Sequence, residues 1–248
     1  MSDWLKPVTV TEPRPGPSEP AKLLYVRSYL IMRLCVGALG IALPFFVILG
    51  DLPLSSDRPI PRDSLSAYYF SGVRDYFVGV LVIVAVFLIT YKVVEKNLDN
   101  LLTLVAGFAA LAVALFPTGT SDSKLTPLQR ALGVGPVQTV HFIGAAVFIG
   151  SLGVICCFFG IREGKRGRRP NARHSPEFWR RFHWTCAAVI AGAIAFLPFG
   201  KWVLDLRTTL LVSEVIAVVA FGISWLLKGF ERDILTNSAS EATIKSAA

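Results

Sequence analysis

Apolar residues in this chain gather into long runs, and polar clusters separate the runs at fairly even intervals. Strict alternation would mark half-buried strands, whereas unbroken apolar runs of about 17–25 residues mark helices that cross a bilayer. Six runs come close to that length: 29–50, 76–94, 101–116, 137–160, 184–199 and 208–227. The third and fifth are short and draw on their flanks. Pro117 follows the third and Pro198 sits in the last turn of the fifth. Proline has no backbone N–H, so it stops a helix or leaves carbonyls free. The pattern predicts an all-α fold, a polytopic membrane protein with six transmembrane helices in one bundle over residues 23–230.

The ends read differently. Residues 1–22 carry Pro7, Pro13, Pro15, Pro17 and Pro20 among mixed charges. Such a stretch cannot bury a core and is expected to be a disordered tail. Residues 231–248 are small and polar and are expected to fray. No cleavable signal peptide is evident, because the first apolar run follows a polar leader, is too long for an h-region and contains Arg33.

Charge sets the orientation. Loops on one side of the predicted bundle hold seventeen Lys and Arg, those on the other hold seven, and Arg33 lies within the first run. Cytoplasmic loops carry the excess, so both termini are expected in the cytoplasm and the chain in the cell membrane as a multi-pass protein. Eight of the seventeen fall in one loop, from Arg162 to Arg181. The net charge of +8 therefore reads as retention beside anionic headgroups. Nucleic acid is not an expected partner, because no stacking platform or groove-reading motif accompanies the basic loop. Residues 175–183, with Trp179 and Trp184 as anchors, are expected along the interface ahead of the fifth helix. Charged residues make up 17% of the chain against about a quarter in soluble domains, which supports the membrane reading.

The chemistry concentrates in residues 64–79. There Ser64, Ser66, Tyr68, Tyr69, Arg74 and Asp75 lead into the second apolar run. His141 opens the fourth run and Glu214 lies about two turns into the sixth. The predicted topology brings all of these to the outer half. Ionisable groups inside spanning helices are rare and usually find a partner or line a cavity. Arg74 and Asp75 are adjacent and cannot face each other, so the expected pairs are Arg74 with Glu214 or Asp75 with His141.

Two accounts stay open for this cluster. It is a set of ion pairs that fixes helix register, or a pocket in which the hydroxyls and the Arg74 fork bind a lipid headgroup or small ligand. Ser64 or Ser66 with His141 and Asp75 or Glu214 also has the composition of a nucleophile, base and orienting acid. No G-x-S-x-G elbow is present, however. A transporter or channel is the other class. The absence of a repeat and of a broken central helix argues modestly against a secondary transporter. No cofactor and no metal is expected, because His174 and His183 fall on the opposite side from His141 and no phosphate loop occurs. Cys35, Cys156, Cys157 and Cys186 fall near cytoplasmic helix ends and are expected to be reduced. Ala106/Ala110 and Ala188/Gly192 suit close helix packing. Membrane lipids are the expected partners, and a homo-oligomer is compatible with the sequence.

Several motifs together carry a resemblance. They are Ser64-Leu65-Ser66-Ala67-Tyr68-Tyr69, Arg74-Asp75-x-Phe77-Val78-Gly79, Asp99-Asn100, Ala114-Leu115-Phe116-Pro117-Thr118, His141, Glu214 and the run from Phe221 to Gly229. In these the chain resembles a group of uncharacterised bacterial six-helix integral membrane proteins. In layout that group is similar to the DRAM-like superfamily (damage-regulated autophagy modulator and relatives). The resemblance implies six helices, a serine-bearing first outer loop, a histidine opening the fourth helix and a place in the bacterial inner membrane. Ser-Leu-Ser-Ala-Tyr-Tyr departs from the Pro-Ile-Ser-Asp type of loop usual in the superfamily.

Overall fold

The computed structural model describes residues 19–54, 61–90, 98–119, 125–165 and 174–230. The tails 1–18 and 231–248, and residues 166–173 of the basic loop, lie outside the described residues. Among the described residues the chain is all-helical. Its α-helices are α1 (Glu19–Asp51), α2 (Arg74–Thr90), α3 (Leu98–Leu115), α4 (Pro127–Leu132), α5 (Val134–Gly164), α6 (Pro176–Trp202) and α7 (Thr209–Phe230). A 3-10 turn, Ser66–Phe70, precedes α2.

Four helical stretches are long and apolar enough to cross a membrane: Leu30–Asp51, Val134–Gly164, Pro176–Trp202 and Thr209–Lys228. Their large apolar side chains point outward as well as inward. Phe45, Phe46, Leu49, Ile143, Ile194 and Ile216 are all exposed. In water such a surface would aggregate, whereas against hydrocarbon it costs nothing. Helices α2 and α3 are equally apolar but shorter, with 17 and 18 residues.

Helices adjacent in sequence pack side by side, α1 on α2, α2 on α3, α3 on α5, α5 on α6 and α6 on α7. Helix α7 closes the ring on α1, and α5 also touches α7 through the middle. Between apolar helices in lipid, close approach replaces hydrophobic expulsion as the source of stability. A Cβ on Gly107 of α3 would stand 2.8 Å from the Ala85 carbonyl oxygen of α2. A Cβ on Gly222 of α7 would stand 3.2 Å from the Gly37 carbonyl of α1. Ala106 and Ala110 are fully buried, as their spacing predicts. Ala188 and Gly192 are exposed, so that pair does not mark a packing face; α6 turns Ala187, Ile190 and Ala193 inward.

The helices overrun the predicted segments. Helix α1 begins at Glu19, inside the stretch expected to be tail. Residues 176–183 are the opening turns of α6 itself, capped by Ser175, rather than a separate interfacial segment. Helix α3 stops before Pro117, but α6 continues past Pro198 to Trp202. The link between α3 and α5 carries the short helix α4, with a Thr126–Gln129 capping box. Gly133, at φ +87, turns the chain from α4 into α5, a backbone conformation that suits glycine.

The two ends of the bundle hold different polar cores. At one end, Glu163 of α5 forms a buried ion pair with Lys228 of α7. Beside it the His183 Nδ1 lies 2.8 Å from the Ser224 hydroxyl. The Arg33 guanidinium stands 4.9 Å from the Trp225 ring and 5.4 Å from that of Phe159. Trp225 and His183 are among the most deeply buried side chains. At the other end, one turn or two from the opposite termini of α5 and α7, stand His141 and Glu214.

Candidate functional site

The His141–Glu214 end is roofed by the segment 61–73. Its first anchor is a buried ion pair, in which the Arg62 Nε and Nη2 reach the Asp51 carboxylate at 2.6 and 3.1 Å. The second is at the surface, where Arg207 binds Asp63 at 2.5 Å and the Pro61 carbonyl at 2.7 Å. The Leu211 amide of α7 donates to the Asp63 carbonyl at 3.0 Å. Past these anchors the chain turns inward and winds into the 3-10 turn. Ser64 acts as a local cap, its Oγ accepting the Ala67 amide at 3.1 Å.

The structure disposes the eight expected site residues in three ways. Ser66, His141 and Glu214 line both of two adjoining pockets, which share these walls and form the two lobes of one cavity. Ser64 backs it, with its hydroxyl 3.1 Å from that of Ser66. Tyr68 and Tyr69 are buried in the roof and do not line the cavity. The Tyr68 ring lies under the Arg62 guanidinium, and burial raises its phenol above the ordinary tyrosine value. Arg74 and Asp75 are exposed. The Arg74 Nη2 donates to the Tyr69 hydroxyl at 2.8 Å, and its guanidinium stacks 4.5 Å from that ring.

Neither expected ion pair forms. Arg74 is held by Tyr69, and Glu214 instead accepts the backbone N–H of Leu65 on Oε2 at 2.6 Å. His141 bonds a carbonyl rather than Asp75, its Nδ1 lying 2.7 Å from the Phe116 oxygen just past the end of α3. A carbonyl only accepts, so Nδ1 carries the hydrogen there. In the neutral ring Nε2 is then the acceptor, on the far side from Phe116. No hydrogen bond joins Ser66, His141 and Glu214, and the acid that would orient the imidazole in a triad is elsewhere engaged.

The inner lobe of the cavity, about 60 Å³, runs down the bundle axis between Val36, Phe77, Val84, Phe148 and Phe221. The wider lobe, about 260 Å³, lies between α5, α6 and α7. About 10–15 Å³ admits one water, so this lobe takes a ligand of several atoms. Three of its wall residues, Phe142, Ile194 and Leu210, are 49%, 42% and 37% exposed. The lobe therefore reaches the outer face of the bundle between these helices.

Sequence reasoning missed one cavity residue. Ser213 is 4% exposed, lines the wide lobe, and its hydroxyl has no hydrogen-bond partner. Only its position next to Glu214 hinted at a role. Asp51 and Glu163 were also missed, because each lies at the boundary where a run was assigned to a loop. Among the described residues no cluster of His, Cys, Asp and Glu could hold a metal ion, and the four cysteines are free. No family model, no curated protein and no solved structure matches this chain.

Proposed function

We propose that this chain is a six-span membrane protein that binds a lipid-like amphiphile, its apolar body in the two-lobed cavity and its head among Ser66, His141 and Glu214. The observation that carries the reading is the cavity: apolar walls, a polar group of three at one end, and a wide lobe reaching the surface that faces lipid. A pocket so built suits a ligand that is apolar along most of its length and polar at one end.

Six spans fit the helix lengths. At 1.5 Å per residue α2 and α3 extend about 26 and 27 Å, close to the roughly 30 Å hydrocarbon core, with flanking residues to complete the crossing. The excess of Lys and Arg on one side supports cytoplasmic termini and an outward-facing site in the cell membrane. The hydrolase reading is less well supported, because His141 is oriented by a carbonyl and Glu214 by the Leu65 amide.

The test is native mass spectrometry of protein extracted from its own membrane, beside Ala146→Trp. Ala146 is exposed and lines the wide lobe, so an indole there obstructs it. A lipid-sized adduct on the wild type that is lost from Ala146→Trp is the expected result. No adduct on the wild type, or one that Ala146→Trp retains, overturns the reading.

A further inference from the structure

Every polar side chain facing the cavity can accept a hydrogen bond, and none is a Lys or Arg. Glu214 uses Oε2 on the Leu65 amide, and no donor among the described residues reaches its other oxygen. An ionised Glu214 only accepts, and the neutral His141 ring, with its Nδ1 on the Phe116 carbonyl, has its acceptor in Nε2. The Ser66 and Ser213 hydroxyls can do either. Ser213 matters most. A serine within a helix ordinarily bonds the carbonyl one turn back, yet this hydroxyl is buried and unpartnered at the cavity wall. Leaving a buried polar group without a partner is costly, and a ligand atom here removes that cost.

Charge points the same way. Neither lobe has a Lys or Arg in its lining, and Glu214 is its single acid. Arg74, the cation that would have drawn a phosphate or carboxylate, is outside on the Tyr69 ring. An anionic head would enter a low-dielectric site beside an acid, with no basic residue in the lining to meet it, which is unfavourable. An ammonium brings two or three N–H donors and the countercharge together.

Resting on the amphiphile-binding reading above, we propose that the ligand is a long-chain amine, its ammonium held by Glu214 with Ser213, Ser66 and His141 as further acceptors. Access is sideways from the bilayer, between Phe142, Ile194 and Leu210.

Four probes of one chain length test this on protein in maltoside micelles: hexadecylamine, hexadecanol, palmitate and hexadecyl phosphate. Each is tritiated and read by scintillation proximity as the signal above that of Ala146→Trp. The amine is expected to bind at least tenfold more tightly than the two anions, with the alcohol between. Glu214→Gln is expected to bring the amine down to the level of the alcohol, and Ser213→Ala to weaken it a few-fold. Selectivity in the wild type decides even if Glu214→Gln does not fold. Palmitate, hexadecyl phosphate or hexadecanol binding as tightly as the amine overturns the amine assignment and leaves the amphiphile reading in place. If none of the four binds above Ala146→Trp, both fall.

Discussion

Glu214 and Leu65 stand 149 positions apart in the chain, and a carboxylate oxygen of the first accepts the backbone N–H of the second at 2.6 Å. This bond ties the roof of the cavity to the wall. Leu65 immediately precedes the 3-10 turn, so its amide has no helical carbonyl to meet, and a side chain from α7 supplies the acceptor. One residue therefore both lines the cavity and holds its roof.

Replacing Glu214 by Ala removes that acceptor. A hydrogen bond contributes about 0.5–1.5 kcal/mol, and more where the acceptor is ionised. Glu214→Ala is expected to lower the unfolding midpoint in detergent and to speed hydrogen exchange at Leu65 and its neighbours more than elsewhere. Glu214→Gln keeps an acceptor and is expected to lose less. Equal exchange at Leu65 in Glu214→Ala and wild type would show that the roof does not depend on this bond.

The Asp51–Arg62 pair is a second tie. Asp51 is fully buried and Arg62 nearly so. Removing one partner of a buried pair strands the other charge, at a cost of about 3–5 kcal/mol. Asp51→Ala and Arg62→Ala are each expected to be strongly destabilising, and the double variant to lose clearly less than the two losses added together. A double-mutant cycle in denaturant or by thermal unfolding measures the coupling. Additive losses would mean that the two side chains act through other contacts.

Gly107 admits α3 to the backbone of α2. A Cβ there would meet both the Ala85 carbonyl and the Ile89 side chain, the latter at 2.6 Å. Gly107→Leu is expected to separate the two helices and to cost several kcal/mol, on the order of an overpacked core or more. Gly192, with nothing within 4 Å, is the matched control, and Gly192→Leu is expected to be nearly neutral. Comparable loss in both would indicate that glycine content, rather than close approach, governs stability.

The apolar runs made the helices legible, since hydrocarbon length and composition alone select such segments. Also legible was the inward face of α7, where Glu214, Ala217, Phe221, Ser224 and Lys228 recur at helical spacing and all turn from the surface. The pairing of charges was not legible. Arg74 and Glu214 look like natural partners in sequence, but the Tyr69 phenol holds the first and the Leu65 amide the second. Glu163 was hidden for a different reason: α5 runs on to Gly164, so a residue that reads as loop lies in the bundle beside Lys228. Ser213 could not be singled out at all, because a serine in a helix is ordinary until its burial and missing partner are seen.

Arg74 provides a direct check on which residues form the site. Its guanidinium is engaged with Tyr69 at the surface and contributes nothing to the cavity wall. Arg74→Ala is expected to leave amphiphile retention within about twofold of wild type. Its effect on stability is expected to be small, about 0.5–1 kcal/mol for an exposed cation over a ring. Loss of the bound ligand in Arg74→Ala would move the binding site from the cavity to the surface cluster.

Orientation is open to chemical labelling. Asp63 and Arg181 lie at opposite ends of the bundle, and their side chains are 63% and 78% exposed. In the proposed six-span topology seventeen of the 25 Lys and Arg fall on the Arg181 side, so that end is expected in the cytoplasm. Asp63→Cys gives up only a surface ion pair, about 0–1 kcal/mol, so the fold is expected to hold. In intact cells a membrane-impermeant maleimide should label Asp63→Cys above the wild-type background from the four native thiols. Arg181→Cys should label only after the membrane is opened. The reverse pattern would turn the protein over and make the cavity open toward the cytoplasmic leaflet, because the cavity and Asp63 share one end of the bundle whichever way it sits.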